Sequence, residues 1–207
     1  MEIIKKIPKM RNELKRYRGE GTDIGLVPTM GFLHDGHLKL IEKAVAENEI
    51  VIVSIFVNPT QFSPDEDYDE YPRDLERDSR LAEKAGVDYI FTPEVEDMYP
   101  EDYKTFVNVN NITDRLCGES RPIFFQGITT VVSKLFNIID PEKAYFGQKD
   151  FQQFVVVKQM IKDLNFPIKM RMVPIVREKD GVAISSRNKY LNNKEREAAT
   201  VLYKALN

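Results

Sequence analysis

One apolar run constrains the fold more than any other stretch of the chain. It reads IVIVSIFVN over residues 50–58 and is β-branched almost throughout, with no polar alternation. A strand of this kind is buried on both faces, which is typical of a parallel sheet covered by helices on two sides. Before it come IGLVP at 24–28, a short apolar run stopped by proline, and HLKLIEKAVAENE at 37–49, whose apolar residues have helical spacing. Residues 24–58 therefore predict one right-handed strand–helix–strand unit.

The alternation of strands and helices continues along the chain. Its residue patterns predict helices at 9–18, 71–86, 127–140, 150–165 and 192–207. They predict strands at 87–93, 144–147 and 168–176, and a further candidate strand, TFVNV, at 105–109. Such alternation predicts an α/β fold, a Rossmann-like doubly wound parallel sheet.

Charge and cysteine content narrow the functional class. Thirty basic residues stand against 33 acidic ones, for a net charge of −3, which argues against a nucleic-acid-binding protein. A single cysteine excludes an intrachain disulfide and fits a reducing compartment. The charged N-terminal segment does not fit a signal peptide, and no run of 18 apolar residues is present. We therefore expect a cytoplasmic protein without a membrane partner.

Both histidines of the chain lie in one short stretch, MGFLHDGH at residues 30–37. This stretch joins a predicted strand to a predicted helix, where free backbone N–H groups and the helix dipole favour anions. His34 and His37 are therefore interpreted first as donors to a phosphate group. A metal site would need a third ligand, and a purely structural role is the other alternative.

Polar loops follow four of the predicted strands. They read PTMGFLHDGH, NPTQF, GQKD and REKDGVAISSRN. Ligands of open α/β sheets bind outside the carboxyl ends of the strands, so we expect these four loops to form one site. Neither of the common glycine-rich phosphate-binding motifs, GxxxxGK[ST] and GxGxxG, is present.

Six motifs in order resemble the pantothenate synthetase family, the pantoate–β-alanine ligases. They are PTMGFLHDGH, VSIFVNPTQF, DYDEYPRDLERD, GITTVVSKLFNI, YFGQKDFQQ and VREKDGVAISSRN, and they span residues from about 25 to 190. The HxGH signature is shared with a wider nucleotidyltransferase superfamily that includes class I aminoacyl-tRNA synthetases. NPTQF and FGQKDxQQ are much more specific to the ligases.

The resemblance implies a two-step synthesis of pantothenate. ATP adenylates the carboxylate of (R)-pantoate and releases pyrophosphate, and the amine of β-alanine then displaces AMP. It also implies Mg²⁺ with the triphosphate and a homodimer, for which TFVNV is a candidate contact. Two competing hypotheses are a binding module with little turnover and another nucleotidyltransferase that stops after nucleotidyl transfer.

Residue roles carried over from the family follow its motifs. The implied ATP-binding residues are Met30, Gly31, Phe32, Leu33, His34, Asp35, Gly36, His37, Gly147, Gln148, Lys149, Asp150, Val176, Ile184, Ser185, Ser186 and Arg187. The implied catalytic residues among them are His34, His37, Lys149 and Arg187. Gln61 and Gln153 would bind pantoate, and Gln61 would also bind β-alanine, whereas Gln152 is expected to face away.

Asp150 and the acidic run at 65–70 each allow more than one interpretation. Asp150 would anchor a ribose hydroxyl, Mg²⁺ or Lys149, or else cap the helix that follows it. The run DEDYDE at 65–70 would either assist the metal or form a solvated loop. No protein side chain is therefore assigned to a metal from the sequence.

The sequence departs from the family pattern in two ways. Ile123 and Phe124 stand where the family usually has a small residue and a histidine, which predicts a modest loss of function and a packing role for Phe124. Family members usually continue with a small domain that covers the site. On that basis residues 1–176 are expected to be the Rossmann-like ATP- and pantoate-binding catalytic domain. Residues 177–207 would then be the start of a truncated lid, with reduced turnover.

Overall fold

A computed structural model describes residues 1–206, and within them the chain forms a single six-stranded sheet. The strands are β1 (Glu2–Ile4), β2 (Ile24–Thr29), β3 (Ile50–Ile55), β4 (Tyr89–Phe91), β5 (Lys143–Gly147) and β6 (Lys169–Val173). Their order across the sheet is β1-β4-β3-β2-β5-β6, and every neighbouring pair is parallel. The predicted α/β fold with a doubly wound parallel sheet is confirmed.

Helices connect and cover these strands. The longer ones are α1 (Ile7–Gly19), α2 (Asp35–Glu47), α3 (Leu75–Lys84), α6 (Phe124–Ile139) and α7 (Phe151–Asp163). The shorter ones are α4 (Val95–Met98), α5 (Cys117–Ser120), α8 (Asn193–Ala198) and α9 (Thr200–Leu206). Single 3-10 turns occupy Pro59–Gln61, Gln148–Asp150 and Ser186–Tyr190. No helix among residues 1–206 is long and apolar enough to cross a membrane.

Strand β3 shows why its sequence lacks polar alternation. Ile50 and Ile52 pack into a core formed with α1, α6 and α7, whereas Val51 and Val53 pack into a second core formed with α2 and α3. Successive side chains of a strand point to opposite faces, so a strand covered on both sides needs apolar residues at every position. The helices accordingly form two layers with the sheet between them.

The centre of the sheet is a topological switch point. From β2 the chain runs outward through β3 and β4, and it then returns to add β5 on the other side of β2. Pro28 does not end β2, contrary to prediction. The carbonyl of Ile24 accepts a hydrogen bond from the backbone N–H of Glu142, on the side of the strand that faces β5. Backbone groups alternate in direction along a strand, so the backbone of Pro28, four residues further along, faces the same side. Pairing with β5 stops at Leu26, so the missing N–H of Pro28 breaks no ladder bond.

The predicted strand at 105–109 is wrong. Its backbone is bound by side chains of α6, because the N–H of Val107 donates to Thr130 Oγ1 at 3.0 Å and its carbonyl accepts from Thr129 Oγ1 at 2.6 Å. These hydroxyls satisfy groups that a neighbouring strand would otherwise bind.

Other differences lie at the two ends of the chain. Strand β1 was not predicted, since three residues carry no pattern and its formation depends on pairing with β4. The predicted helix at 192–207 is two helices, α8 and α9, and residue 207 lies outside the described residues. The expected asparagine cap is confirmed, because the Asn192 side chain accepts from the N–H groups of Lys194 and Glu195.

Candidate active site

One cleft lies at the carboxyl ends of the central strands, at the switch point between β2 and β5. All four of the polar loops contribute to it, as the sequence predicted. The predicted site residues that line it are Met30, His34, Gly36, His37, Gln61, Gly147, Lys149, Asp150, Gln153, Val176, Ile184, Ser185, Ser186 and Arg187. Its inner wall is apolar and comes largely from one face of α6, which includes Ile128, Val131, Val132 and Leu135.

Five predicted ATP-binding residues do not line the cleft. They are Gly31, Phe32, Leu33, Asp35 and Gln148. Leu33 is fully buried in the core beside α2, whereas Asp35 and Gln148 are exposed. Gly31 and Phe32 both take positive φ, 85° and 51°, so they shape the loop rather than present side chains to the cleft.

The loop before α2 is held in place by hydrogen bonds to Asp78 of α3. The buried Asp78 carboxylate accepts the N–H of Phe32 at 2.6 Å and the N–H of Leu33 at 2.7 Å. Burial raises the pKa of this carboxyl above its usual value, and the two amide bonds oppose that effect in part. Asp78 therefore fixes the conformation of the loop that connects β2 to α2.

The two histidines stack on each other at this turn. Their ring centroids are 4.0 Å apart with an interplanar angle of 25°. His37 Nδ1 accepts a hydrogen bond from the backbone N–H of His34 at 3.4 Å, which leaves Nε2 as the protonated nitrogen of the neutral His37 ring. Gly36 makes room for this stack, because a Cβ there would lie 2.9 Å from Cε1 of His34.

Both imidazoles are neutral in this cleft near pH 7. Burial, then His34, then the cation of Lys149 lower the pKa of His37 to about 3. Burial and then Lys149 also lower the pKa of His34, whose Nδ1 is buried and has no hydrogen-bond partner among residues 1–206. Neutral rings can donate one hydrogen bond each without a fixed positive charge. An anionic ligand placed beside them would favour protonation.

Gln61 and Gln153 also line the cleft. Gln61 is buried at the end of the Pro59–Gln61 turn, and its Nε2 donates to the sulfur of Met30 at 3.1 Å. Gln152 faces away, as predicted. Its amide group bonds to the backbone of Ile112, Arg115 and Cys117, where it holds the segment before α5.

Lys149 and Asp150 form an exposed ion pair at the cleft mouth, with Nζ and Oδ1 3.0 Å apart. Asp150 occupies the N-cap position of α7 but makes no side-chain capping bond, so its contact in this structure is with the lysine. Of the alternatives left open for Asp150, the capping role is therefore wrong.

Two arginines at the cleft are paired with the acidic run 65–70. Arg187 binds Asp67 through two bonds of 2.9 and 2.7 Å, and Arg121 binds Glu66 through bonds of 2.6 and 2.7 Å. Each guanidinium lowers the pKa of its partner carboxyl. The run is thus not simply a solvated loop, because these two carboxylates orient arginine side chains at the site.

Val176 and Ile184 are brought together by a small turn after β6. The N–H of Ile184 donates to the carbonyl of Val176 at 3.0 Å, beside an antiparallel bridge between Arg177 and Ala183. Two residues eight positions apart therefore form one apolar edge of the cleft.

Several cleft residues were missed from the sequence. Asn58, Tyr71 and Arg121 line the cleft, and Phe124 lies beneath the Arg121 guanidinium at 3.6 Å. Asn58 stands in NPTQF, so its place after a predicted strand was an available signal. Tyr71 stands in the motif DYDEYPRDLERD, which was also an available signal. Arg121 stands in none of the six motifs and reaches the cleft only through folding.

A parallel sheet with an HxGH turn after its central strand is the fold of the nucleotidyltransferase class. The pantoate-beta-alanine ligase family model matches residues 2–207, and the chain belongs to that family. A pantothenate synthetase of Caldicellulosiruptor saccharolyticus is 59% identical over the whole chain, which covers 74% of that relative.

Solved structures agree with this assignment. Pantothenate synthetase from Thermus thermophilus superposes with a TM-score of 0.95 at 51% identity, over 100% of this chain and 73% of that one. Pantoate-beta-alanine ligase from Francisella tularensis, complexed with beta-gamma ATP and beta-alanine, has a TM-score of 0.93 at 40% identity, over 99% and 78%. A tyrosyl-tRNA synthetase from Archaeoglobus fulgidus, 15% identical with a TM-score of 0.51 over 93% and 74%, shares the fold alone.

Proposed function

We propose that this cleft binds ATP and (R)-pantoate and condenses pantoate with β-alanine to pantothenate through a pantoyl-adenylate. The observation that carries the proposal is the convergence of four loops on one cleft. The paired imidazoles, Lys149, Gln61 and Gln153 all line it, together with an apolar wall from α6. Family membership gives the reaction type, and this arrangement gives each group a chemical task.

In the first step a pantoate carboxylate oxygen attacks the α-phosphorus of ATP and the bond to pyrophosphate breaks. Negative charge then grows on the leaving phosphates. His34 and His37 would donate to phosphate oxygens from the first turn of α2, where the helix dipole adds to the effect. Lys149 would neutralise charge beside them, and Arg187 would act on the triphosphate after leaving Asp67.

In the second step the amine of β-alanine attacks the acyl carbon, and the bond to AMP breaks. AMP is a good leaving group, so this step depends mainly on positioning. Gln61 would contact both pantoate and β-alanine, and Gln153 would hold pantoate from the first turn of α7. The apolar wall of α6 would accommodate the carbon skeleton of pantoate.

The nucleotide would enter from the side of β5 and β6. Val176 and Ile184 would lie against adenine, Gly147 would allow close approach of the ribose, and Ser185 and Ser186 would bind phosphate oxygens. Residues 1–206 contain no cluster of three potential metal ligands, so Mg²⁺ would be held chiefly by the triphosphate. Asp150 is the carboxylate best placed to assist, since it lines the cleft.

We also propose the domain division and the assembly expected from the family. The sheet ends at Val173 and Pro174 follows, which supports a boundary near residue 176 between a catalytic domain and a covering segment. A cytoplasmic location fits a biosynthetic enzyme with one cysteine, and a homodimer is the assembly that the family resemblance implies. Sedimentation velocity would test the dimer.

Isotope exchange between ATP and pyrophosphate tests the first step. Exchange that requires (R)-pantoate, together with AMP release that requires β-alanine, is the expected result. His34→Gln and His37→Gln should each lower exchange, the more affected variant by about 2.7 kcal/mol or more, or about a hundredfold. Binding of ATP without exchange would leave only a binding module. Exchange at the wild-type rate in both variants would contradict the roles of the histidines.

A further inference from the structure

The side chain of Gln61 belongs to a network of hydrogen bonds beside the cleft. The buried side chain of Asn58 is its centre. Asn58 Nδ2 donates to Gln61 Oε1 and to the carbonyl of Gly127, both at 3.1 Å. Asn58 Oδ1 accepts from the hydroxyl of Tyr99 at 2.8 Å and from that of Thr60 at 3.0 Å. All four of these partners thus contact a single amide group.

The chemistry of these partners fixes the orientation of Asn58. A backbone carbonyl can only accept, so the Asn58 NH₂ group must face Gly127. The carbonyl oxygen of Asn58 then faces Tyr99 and Thr60, which both carry a hydroxyl hydrogen to donate. Gly127 can come this close because it has no side chain: a Cβ there would lie 2.4 Å from the carbonyl oxygen of Thr60.

The orientation of Asn58 in turn fixes Gln61. Because Asn58 donates to Gln61 Oε1, the Gln61 NH₂ group is turned the other way, toward Met30 and the cleft. One of its hydrogens meets the Met30 sulfur, a weak acceptor. Gln61 therefore presents a donor to the cleft, which suits a substrate with carboxylate and hydroxyl oxygens.

We infer that Tyr99 is a positioning residue for substrate recognition, which acts through Asn58 to hold the Gln61 amide with its donor side toward pantoate. This inference rests on the proposed function for the identity of the ligand. Tyr99 itself lies behind the cleft and does not line it. Its ring is fixed by an edge contact with Tyr103, 5.0 Å between centroids, and by the Lys134 cation.

The Tyr99 hydroxyl is also held in its donor form. Burial raises the pKa of Tyr99 to about 12, so the group stays protonated throughout the range in which the protein works. The hydrogen on Tyr99 is thus available to Asn58 Oδ1 irrespective of ordinary changes in pH.

Tyr99→Phe tests the inference, since it removes the hydroxyl and keeps the ring. We expect the pantoate KM in the exchange assay to rise about threefold to tenfold, the effect of one lost hydrogen bond. The KM for ATP and the kcat should change less than twofold. Tyr103→Phe is the matched control: it loses a hydroxyl one ring away that does not contact Asn58, and it should leave all three constants unchanged.

A second measurement reads the hydrogen bonds without any assay of activity. The side-chain amide resonances of Asn58 and Gln61 should shift in Tyr99→Phe and stay in place in Tyr103→Phe. Unchanged resonances would overturn the inference, as would an unchanged pantoate KM or an equal rise in the KM for ATP. If exchange proves independent of pantoate, the proposed function fails while the resonances still decide whether Tyr99 orients Gln61.

Discussion

The Oδ2 atom of Asp78 accepts a hydrogen bond from the backbone N–H of Phe32 at 2.6 Å, which ties helix α3 to the loop that carries both histidines. The two residues are 46 positions apart in sequence, and Phe32 stands at a φ of 51°. A residue in this conformation is held there by its surroundings, and Asp78 supplies the acceptor. The geometry of the histidine pair therefore depends on a carboxylate that does not line the cleft.

Asp78→Ala should lower both stability and ATP binding. Two buried amide N–H groups would lose their acceptor, so we expect the free energy of unfolding to fall by about 3 kcal/mol in urea titrations. Asp74→Ala is the control, because Asp74 caps the same helix at an exposed position and its loss should cost ~1 kcal/mol. Unaltered ATP affinity in Asp78→Ala would contradict a role in shaping the loop.

The depressed pKa of His37 predicts loss of stability in mild acid. The unfolded chain binds a proton at this residue near pH 6.5, whereas the folded chain binds it only near pH 3. The contribution of His37 to the free energy of unfolding is complete above pH 6.5. It is lost as the pH falls toward 3, because the unfolded state then carries more protons. Between pH 6.5 and 5.5 the expected loss is about 1 kcal/mol.

Urea titrations of the wild type and of His37→Gln over this interval check that prediction. The slope of stability against pH should be smaller in the variant, since glutamine does not titrate. Equal slopes in the two proteins would show that His37 is not the group responsible.

Gly36→Ala should lower activity without lowering stability. Alanine favours a helix over glycine by about 1 kcal/mol, so the melting temperature should hold or rise. The added Cβ lies 2.9 Å from the His34 ring, however, and the ring must move from its stack with His37. We expect exchange activity to fall at least tenfold, on the basis of one displaced donor. Gly19→Ala, at an open position in α1, should leave exchange unchanged.

The neighbouring glutamines of α7 should respond oppositely to substitution. Gln152→Ala removes three bonds to the segment before α5 and should lower stability by about 2 kcal/mol, with pantoate KM unchanged. Gln153→Ala removes a side chain that faces the cleft, so pantoate KM should rise and stability should change little. The reverse pattern would show that the helix presents the other face to the substrate.

Local patterns accounted for most of the sheet. The β-branched run of β3, the helical spacing of α2 and the polar loops after the strands predicted where the cleft would lie, because the ends of parallel strands meet at one edge. The same reasoning failed at 105–109, where β-branched residues form no strand. Side-chain hydroxyls of α6 satisfy that backbone, and no local pattern encodes such a contact.

The sequence by itself determined the alternating α/β order, the position of the histidine turn between a strand and a helix, and the family. These follow from hydrophobic periodicity and from short motifs, which are properties of neighbouring residues. Only the tertiary structure decided what holds those motifs in place. Asp78 lies 46 positions from Phe32, Tyr99 lies 41 positions from Asn58, and Glu66 and Asp67 lie 55 and 120 positions from Arg121 and Arg187. Such partners are set by packing and by the need to satisfy buried polar groups, and neither can be read from spacing along the chain.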